Sequence, residues 1–208
     1  VSALSDNKTL LDCKVCQLVK LYKNGQPFKM SKRAGEFISA QDLLDEVEKD
    51  PIRFMMLNRS NDVELDFDFD KVKEKNKDNP VFYVQYAYAR INSILRSLKI
   101  KFTNKVELND KDFQLNEIEQ KILRKVFEWP KIIESASNKF DLHKIPVYLY
   151  DLATLFHSYW SKGNEDEKYK FIKNEKIRRN EIFAIINLTA IVLQNGMGIL
   201  GVSLPDKM

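Results

Sequence analysis

From position 80 onward, apolar residues return every three or four positions. Val84, Ala87, Ile91, Ile94, Leu95 and Leu98 form one stripe, the period of a helix with a single face in a core. Asp78-Asn79-Pro80 stands in front of it as a cap followed by a first-turn proline. Further helices fit residues 116–127, 130–139, about 142–161 and about 175–194. Trp129-Pro130 is expected to break the first pair, Lys162-Gly163-Asn164 to end the next helix, and Asn195-Gly196 to close the last in a left-handed cap.

Before position 78 the pattern is different. Residues 15–22 are rich in apolar and β-branched side chains, Asn24-Gly25 is a turn dipeptide, and the chain resumes at Phe28, which predicts a hairpin or a strand leading to a loop. Ser39 and Asp42 have the spacing of a capping box for a helix carrying Leu43, Leu44 and Val47. Asp50-Pro51 is expected to cap a second helix running to about Arg59. Val63, Leu65, Phe67 and Phe69 alternate with Glu64, Asp66, Asp68 and Asp70, the period of a half-buried strand whose acidic side can cap the next helix. The expected chain is therefore mainly α: short strands plus helices over residues 1–78, then an all-α helical bundle over 79–208. No internal repeat is present.

Composition fits a chain able to bury a core, and no uninterrupted apolar run reaches the roughly 18 residues that a bilayer span needs. No secretory leader is recognisable, so the expected location is the cytoplasm, with no membrane partner. The first clear element is a strand with no initiating Met, which leads us to expect a piece of a longer protein. Cys13 and Cys16 form one C-x-x-C without a second pair or nearby histidines, and are expected to be reduced thiols rather than a metal site. Charge divides unevenly. Residues 1–78 carry 14 Lys and Arg against 15 Asp and Glu, whereas 79–208 carry 20 against 15, so the basic surplus lies in the bundle. That surplus permits contact with a polyanion without requiring it.

Lys29-Met30-Ser31-Lys32-Arg33-Ala34-Gly35 places several cations and a hydroxyl in a loop between a strand and a helix, with a glycine for freedom of movement. By charge alone this suits polyphosphate binding or a plain basic surface turn. The residue order resembles the second ATP-binding motif of class I aminoacyl-tRNA synthetases, and its Arg-Ala-Gly continuation resembles the arginine enzymes. Further blocks resemble arginyl-tRNA synthetases in family order: Phe54-Met55-Met56-Leu57, Leu65-Asp66-Phe67-Asp68, the run from Asp78 to Arg90, and the closing Leu193-Gln194-Asn195-Gly196 and Pro205-Asp206-Lys207-Met208.

The resemblance implies the end of a class I synthetase catalytic domain with its KMSK loop in residues 1–78, and an all-α anticodon-binding domain in 79–208. It implies ATP-dependent activation of arginine, with Mg²⁺, and transfer to tRNA(Arg). Lys29 and Lys32 would be catalytic, neutralising the departing pyrophosphate, and Met30 and Ser31 would complete the ATP contact. The arginine pocket would lie in an N-terminal part that this chain lacks, so the chain alone is expected to be inactive and to act as part of a monomer.

Tyr83, Tyr86 and Arg90 are spaced three and then four, so they share a helix face. Such a stripe is either a packed bundle surface or a platform for splayed bases. The resemblance implies the second, with Trp160 and Met208 on the same anticodon-binding surface and Phe156 and Tyr159 as lesser candidates. The block that names the family's helical domain falls near Glu181-Ile182-Phe183, leaving Arg178, Arg179 and the loop residue Arg33 without assigned roles. His143 and His157 stand alone on helices and are expected to pack or face solvent. A non-catalytic tRNA-binding module and a purely structural helical protein are the competing readings.

Overall fold

Hydrogen bonding of the apolar run begins late: β1 is Val19–Lys23, and Asn24 and Gly25 turn it, both at positive φ, into the short β2, Gln26–Pro27. The computed structural model describes residues 4, 6, 8, 9, 11, 13–28, 38–103 and 114–208. Helix α1, Ala40–Glu46, starts at the expected capping box: Ser39 Oγ accepts from the Asp42 amide, and the Asp42 carboxylate accepts from the Ser39 amide at 2.8 Å. Helix α2 is Lys49–Leu57. Asp50 therefore lies in its first turn rather than capping it, because its carboxylate is engaged elsewhere, accepting the Ser203 amide at 3.0 Å.

The alternating segment forms β3, Leu65–Asp68, parallel to β1 with Val19 opposite Leu65 and Tyr22 opposite Asp68. Sheet order is β2-β1-β3, so α1 and α2 make the crossover that a parallel pair requires. Asp68 Oδ1 accepts from the Asp70 and Lys71 amides and so caps the 3-10 turn Lys71–Lys73. Phe67, Phe69, Val72 and Val47 are buried together beneath this sheet.

Helix α3, Pro80–Ser97, begins at the expected proline and buries Val84, Ala87, Ile91, Ile94 and Leu95. Each buried Val, Ile or Leu of this stripe contributes about 1.5–3 kcal/mol. Asn79 precedes it, but its amide donates to the Val72 and Glu74 carbonyls at 2.9 and 2.7 Å, pinning the preceding turn instead of capping the helix. Helices α3, α4 (Glu117–Lys139), α5 (Lys144–Glu165) and α6 (Asn180–Leu200) pack around one core, to which α2 adds Phe54. Between α5 and α6 a ribbon of β4, Ile172–Lys173, and β5, Lys176–Ile177, turns through Asn174 and Glu175, both at positive φ.

Three expected helix breaks do not occur. Pro130 lies inside α4. The turn just before it is held by tertiary contacts to α5: Trp129 meets Tyr148 at 5.2 Å, and the Tyr148 hydroxyl donates to the Lys125 carbonyl. Gly163 stays helical because its missing side chain is used for a close approach, where a Cβ would meet the Tyr169 carbonyl oxygen at 3.0 Å. Gly196 lies within α6 against Leu149, and the left-handed cap falls five residues later at Gly201, φ +66°. Helix α6 is long and apolar enough to cross a membrane, but 61% of its most apolar window is buried in the bundle.

The two glycines of α6 should respond oppositely to alanine. A Cβ at Gly196 would stand 2.6 Å from Leu149 Cδ2, inside a fully buried neighbour, whereas one at Gly198 meets nothing within 4 Å. Gly196→Ala should destabilise by about 1–3 kcal/mol. Gly198→Ala should stabilise by about 0.5–1 kcal/mol. Urea denaturation of both variants checks this, and like-signed shifts would contradict the packing described.

Candidate functional site

Helix α3 turns its core stripe inward and leaves Phe82, Tyr86 and Arg90, spaced four apart, along a flank beside α5. Phe82 and Tyr86 stack with centroids 5.9 Å apart and planes 11° apart. The Arg90 guanidinium lies 4.4 Å over the Tyr86 ring and 5.2 Å from the Trp160 ring of α5, and its Nη2 donates to Tyr86 Oη at 2.6 Å. Tyr86, Arg90 and Trp160 line a groove of about 590 Å³. Ile172 of the β4–β5 ribbon closes one side, and Lys207 and Met208 form its rim.

The rim is held in place by a strap. After Gly201 the chain runs back along α3: Gln85 donates to the Ser203 carbonyl at 3.0 Å, Asn92 to Asp206 Oδ1 at 3.1 Å, and Arg96 to the Asp206 carbonyl at 2.7 Å. Its start is fastened to α2, where Arg53 Nε donates to the Leu200 carbonyl at 2.7 Å and Asp50 accepts from Ser203. Thus Tyr86 and Arg90, Trp160, and Met208, from three distant parts of the sequence, meet in one groove.

Tyr83 does not line it. It packs between Tyr150, at 5.3 Å, and His157, at 4.4 Å, and burial, reinforced by Tyr150, raises its pKa. Phe156 and Tyr159 have no exposed surface, so neither belongs to the surface expected for them; both faces of α5 that carry them are needed for the core. Tyr159 donates instead to Glu119, a fully buried carboxylate that also accepts from the Asn116 amide and from Arg179. Arg178 donates to the Glu167 carbonyl, so both arginines are committed within the bundle. Lys29, Met30, Ser31, Lys32 and Arg33 lie outside the described residues. Cys13 and Cys16 are exposed free thiols.

The residue that sequence reasoning missed is His157, which is 6% exposed and in contact with the groove. Its Nδ1 faces Arg90 Nη1 at 3.3 Å and its Nε2 faces the Tyr83 carbonyl at 3.1 Å. The available signal was its position three residues before Trp160, which puts both on one face of α5. Ile172 was missed too, since nothing in sequence brings the ribbon to the groove.

Chemically, the groove offers aromatic faces, a guanidinium and a lysine, and among the described residues no carboxylate is ion-paired with Arg90. An unneutralised cation between stacking surfaces suits a planar, acceptor-bearing group attached to a polyanion.

Comparison with known proteins bears on what that group is. The family described as the DALR anticodon binding domain matches residues 84–208. The chain is 53% identical over 208 residues to an arginine–tRNA ligase of Pelagibacter ubique and 46% identical over 213 residues to that of Ruegeria pomeroyi, each match taking in all of this chain. It spans only 36% and 37% of those relatives' lengths. Among solved structures, one described as an arginyl tRNA synthetase from Campylobacter jejuni superposes with a TM-score of 0.77 at 29% identity, covering 93% of this chain and 40% of that one. The Thermus thermophilus arginyl-tRNA synthetase shares the fold, with a TM-score of 0.67 at 21% identity over 93% of this chain and 35% of its own.

Burial holds His157 neutral, pushing its pKa down to about 4, with the Arg90 charge adding to the effect and the bond to the Tyr83 carbonyl opposing it. The unfolded ring takes up a proton near pH 6.5 and the folded ring only near pH 4, so stability present above pH 6.5 is lost as pH falls toward 4. The loss attributable to this ring is on the order of 3 kcal/mol. Urea midpoints measured from pH 7 to 4.5 should therefore fall less steeply for His157→Asn than for the parent; parallel curves would contradict a buried neutral imidazole.

Proposed function

The chain belongs to the DALR anticodon-binding domain family, and because it also resembles arginine–tRNA ligases from end to end, we propose that it supplies the tRNA-reading part of such an enzyme. The observation that carries this reading is the Arg90 guanidinium, without a carboxylate among the described residues and set between Tyr86 and Trp160 in an open groove. Bases splayed from a single-stranded loop are recognised by stacking on aromatic and guanidinium planes and by hydrogen bonds to their edges, and the groove offers both. Met208 and Lys207 on the strap give an apolar and a cationic contact at the rim.

In this proposal residues 79–208 bind the anticodon region of tRNA(Arg). Residues 1–78 form part of the catalytic domain, where Lys29 and Lys32 neutralise negative charge building on the pyrophosphate that leaves ATP. Such cations act selectively in the transition state, by position and electrostatics rather than by covalent participation. Met30 and Ser31 complete the nucleotide contact, ATP is used with Mg²⁺, and arginine is bound by parts of the enzyme outside these residues. The proposed setting is a cytoplasmic, monomeric enzyme.

Filter binding of tRNA(Arg) across a salt series tests the reading, because phosphate contacts give a steep log-log fall in affinity. Arg90→Ala should weaken tRNA(Arg) binding about tenfold or more, with a smaller loss on an anticodon-swapped tRNA. Equal losses on both RNAs would reject base readout. In the full-length enzyme, Lys32→Ala should lower the adenylation rate far more than tRNA affinity, and the reverse pattern would assign that lysine to docking.

A further inference from the structure

We propose that His157 is a positioning residue for the groove: its Nδ1 accepts from Arg90 and fixes the guanidinium between the Tyr86 and Trp160 rings, leaving the remaining donors for RNA. The inference rests on the tRNA-binding function proposed for the groove and names a residue that acts through Arg90 rather than by touching the ligand.

The geometry fixes the ring's roles. A guanidinium has five N–H donors and no acceptor, so at 3.3 Å from Arg90 Nη1 the imidazole Nδ1 can only accept. The proton must then sit on Nε2, which donates to the Tyr83 carbonyl at 3.1 Å. Each ring nitrogen is thus committed to a different part of α3, one to its backbone and one to its functional side chain. The ring itself is clamped, 4.4 Å from Tyr83 and 5.5 Å from Tyr86 between centroids. The groups facing it from α3 are Tyr83, Tyr86 and Arg90, and from α5 Phe156; none is a carboxylate, and the one charge is Arg90.

Arg90 uses one N–H on His157 and one on Tyr86 Oη, at 2.6 Å, and three of its five remain. An arginine held only by a hydroxyl at one end would rotate about its own long axis. Held at both Nη atoms, its plane is set before RNA arrives, which is what preorganised recognition requires. A protonated His157 would place N–H against N–H at Arg90, and its burial keeps that form unpopulated near neutral pH.

Three substitutions separate positioning from filling. His157→Asn carries an oxygen on Cγ where Nδ1 stood and can still accept from Arg90. His157→Gln keeps an amide able to reach the Tyr83 carbonyl but leaves no acceptor on Cγ, and His157→Leu retains only bulk. With folding verified by circular dichroism, tRNA(Arg) affinity should stay within about threefold of the parent for Asn and fall about tenfold for Gln and Leu, the worth of one hydrogen bond to a charged group. In an Arg90→Met background, His157→Gln should cost nothing further, since its partner is gone.

Equal affinities for Asn and Gln, or losses that simply add across the two sites, would overturn the proposal. ¹⁵N spectra of the imidazole in the RNA-free chain give an independent reading: a bare Nδ1 and protonated Nε2 at neutral pH support it, and the opposite tautomer overturns it. If the parent chain binds no tRNA in a salt-dependent, anticodon-sensitive way, the tRNA reading falls, while the spectra still decide whether His157 holds Arg90.

Discussion

A carboxylate with no exposed surface must find its hydrogen-bond donors inside the protein, and Glu119 finds them on three helices. At the start of α4 it accepts from the Asn116 amide; from α5 comes the Tyr159 hydroxyl; and the Arg179 guanidinium arrives from the start of α6. Leaving such a group without a partner costs several kcal/mol, and the three contacts share the task of preventing that. Together they set the rotation of α5. Tyr159 must face the carboxylate, and its neighbour Trp160, about 100° further round the helix, is thereby turned toward α3 and the groove. The pKa of Tyr159 is raised by burial first and by Glu119 second, which keeps its hydroxyl a donor.

From that anchor the groove is assembled out of pieces that have no local reason to meet. Helix α3 contributes Tyr86 and Arg90, α5 contributes Trp160 and His157, the ribbon contributes Ile172, and the strap contributes Lys207 and Met208. The strap is tied to α2 through Asp50 and Arg53 as well as to α3. Helix α2 in turn carries Ile52, Met55 and Met56 against the cluster that packs Phe67 and Phe69 under the parallel sheet. A continuous route therefore joins the strap through α2 to the core beneath the β1–β3 pair.

What could be read from sequence was whatever is decided locally or by period. The capping box of Ser39 and Asp42, the Asn24-Gly25 turn, the alternation through Leu65 and Phe67, and the α3 stripe all depend on near neighbours, and each is present. The spacing of Tyr86 and Arg90 gave a shared face by arithmetic, whereas Trp160 and Met208 were legible only through family resemblance. Breakers were misread because Pro130, Gly163 and Gly196 answer to partners elsewhere: the α4–α5 contact around Trp129 and Tyr148, the Tyr169 carbonyl, and Leu149. For His157 only the face shared with Trp160 was legible, since the partners that give it its place stand 67 and 74 residues away.

Gly163 shows how far from the groove its shape can be set. Its single hydrogen lets the chain at Tyr169 and Lys170 lie directly on the last turn of α5, and from there the ribbon delivers Ile172 to the groove wall. A bulkier residue at 163 would press on the Tyr169 carbonyl and shift the ribbon, and with it the Ile172 wall of the groove, from outside the groove's own lining. In a catalogue of contacts such a change would look silent; as a change of calliper width it is among the most direct the fold permits.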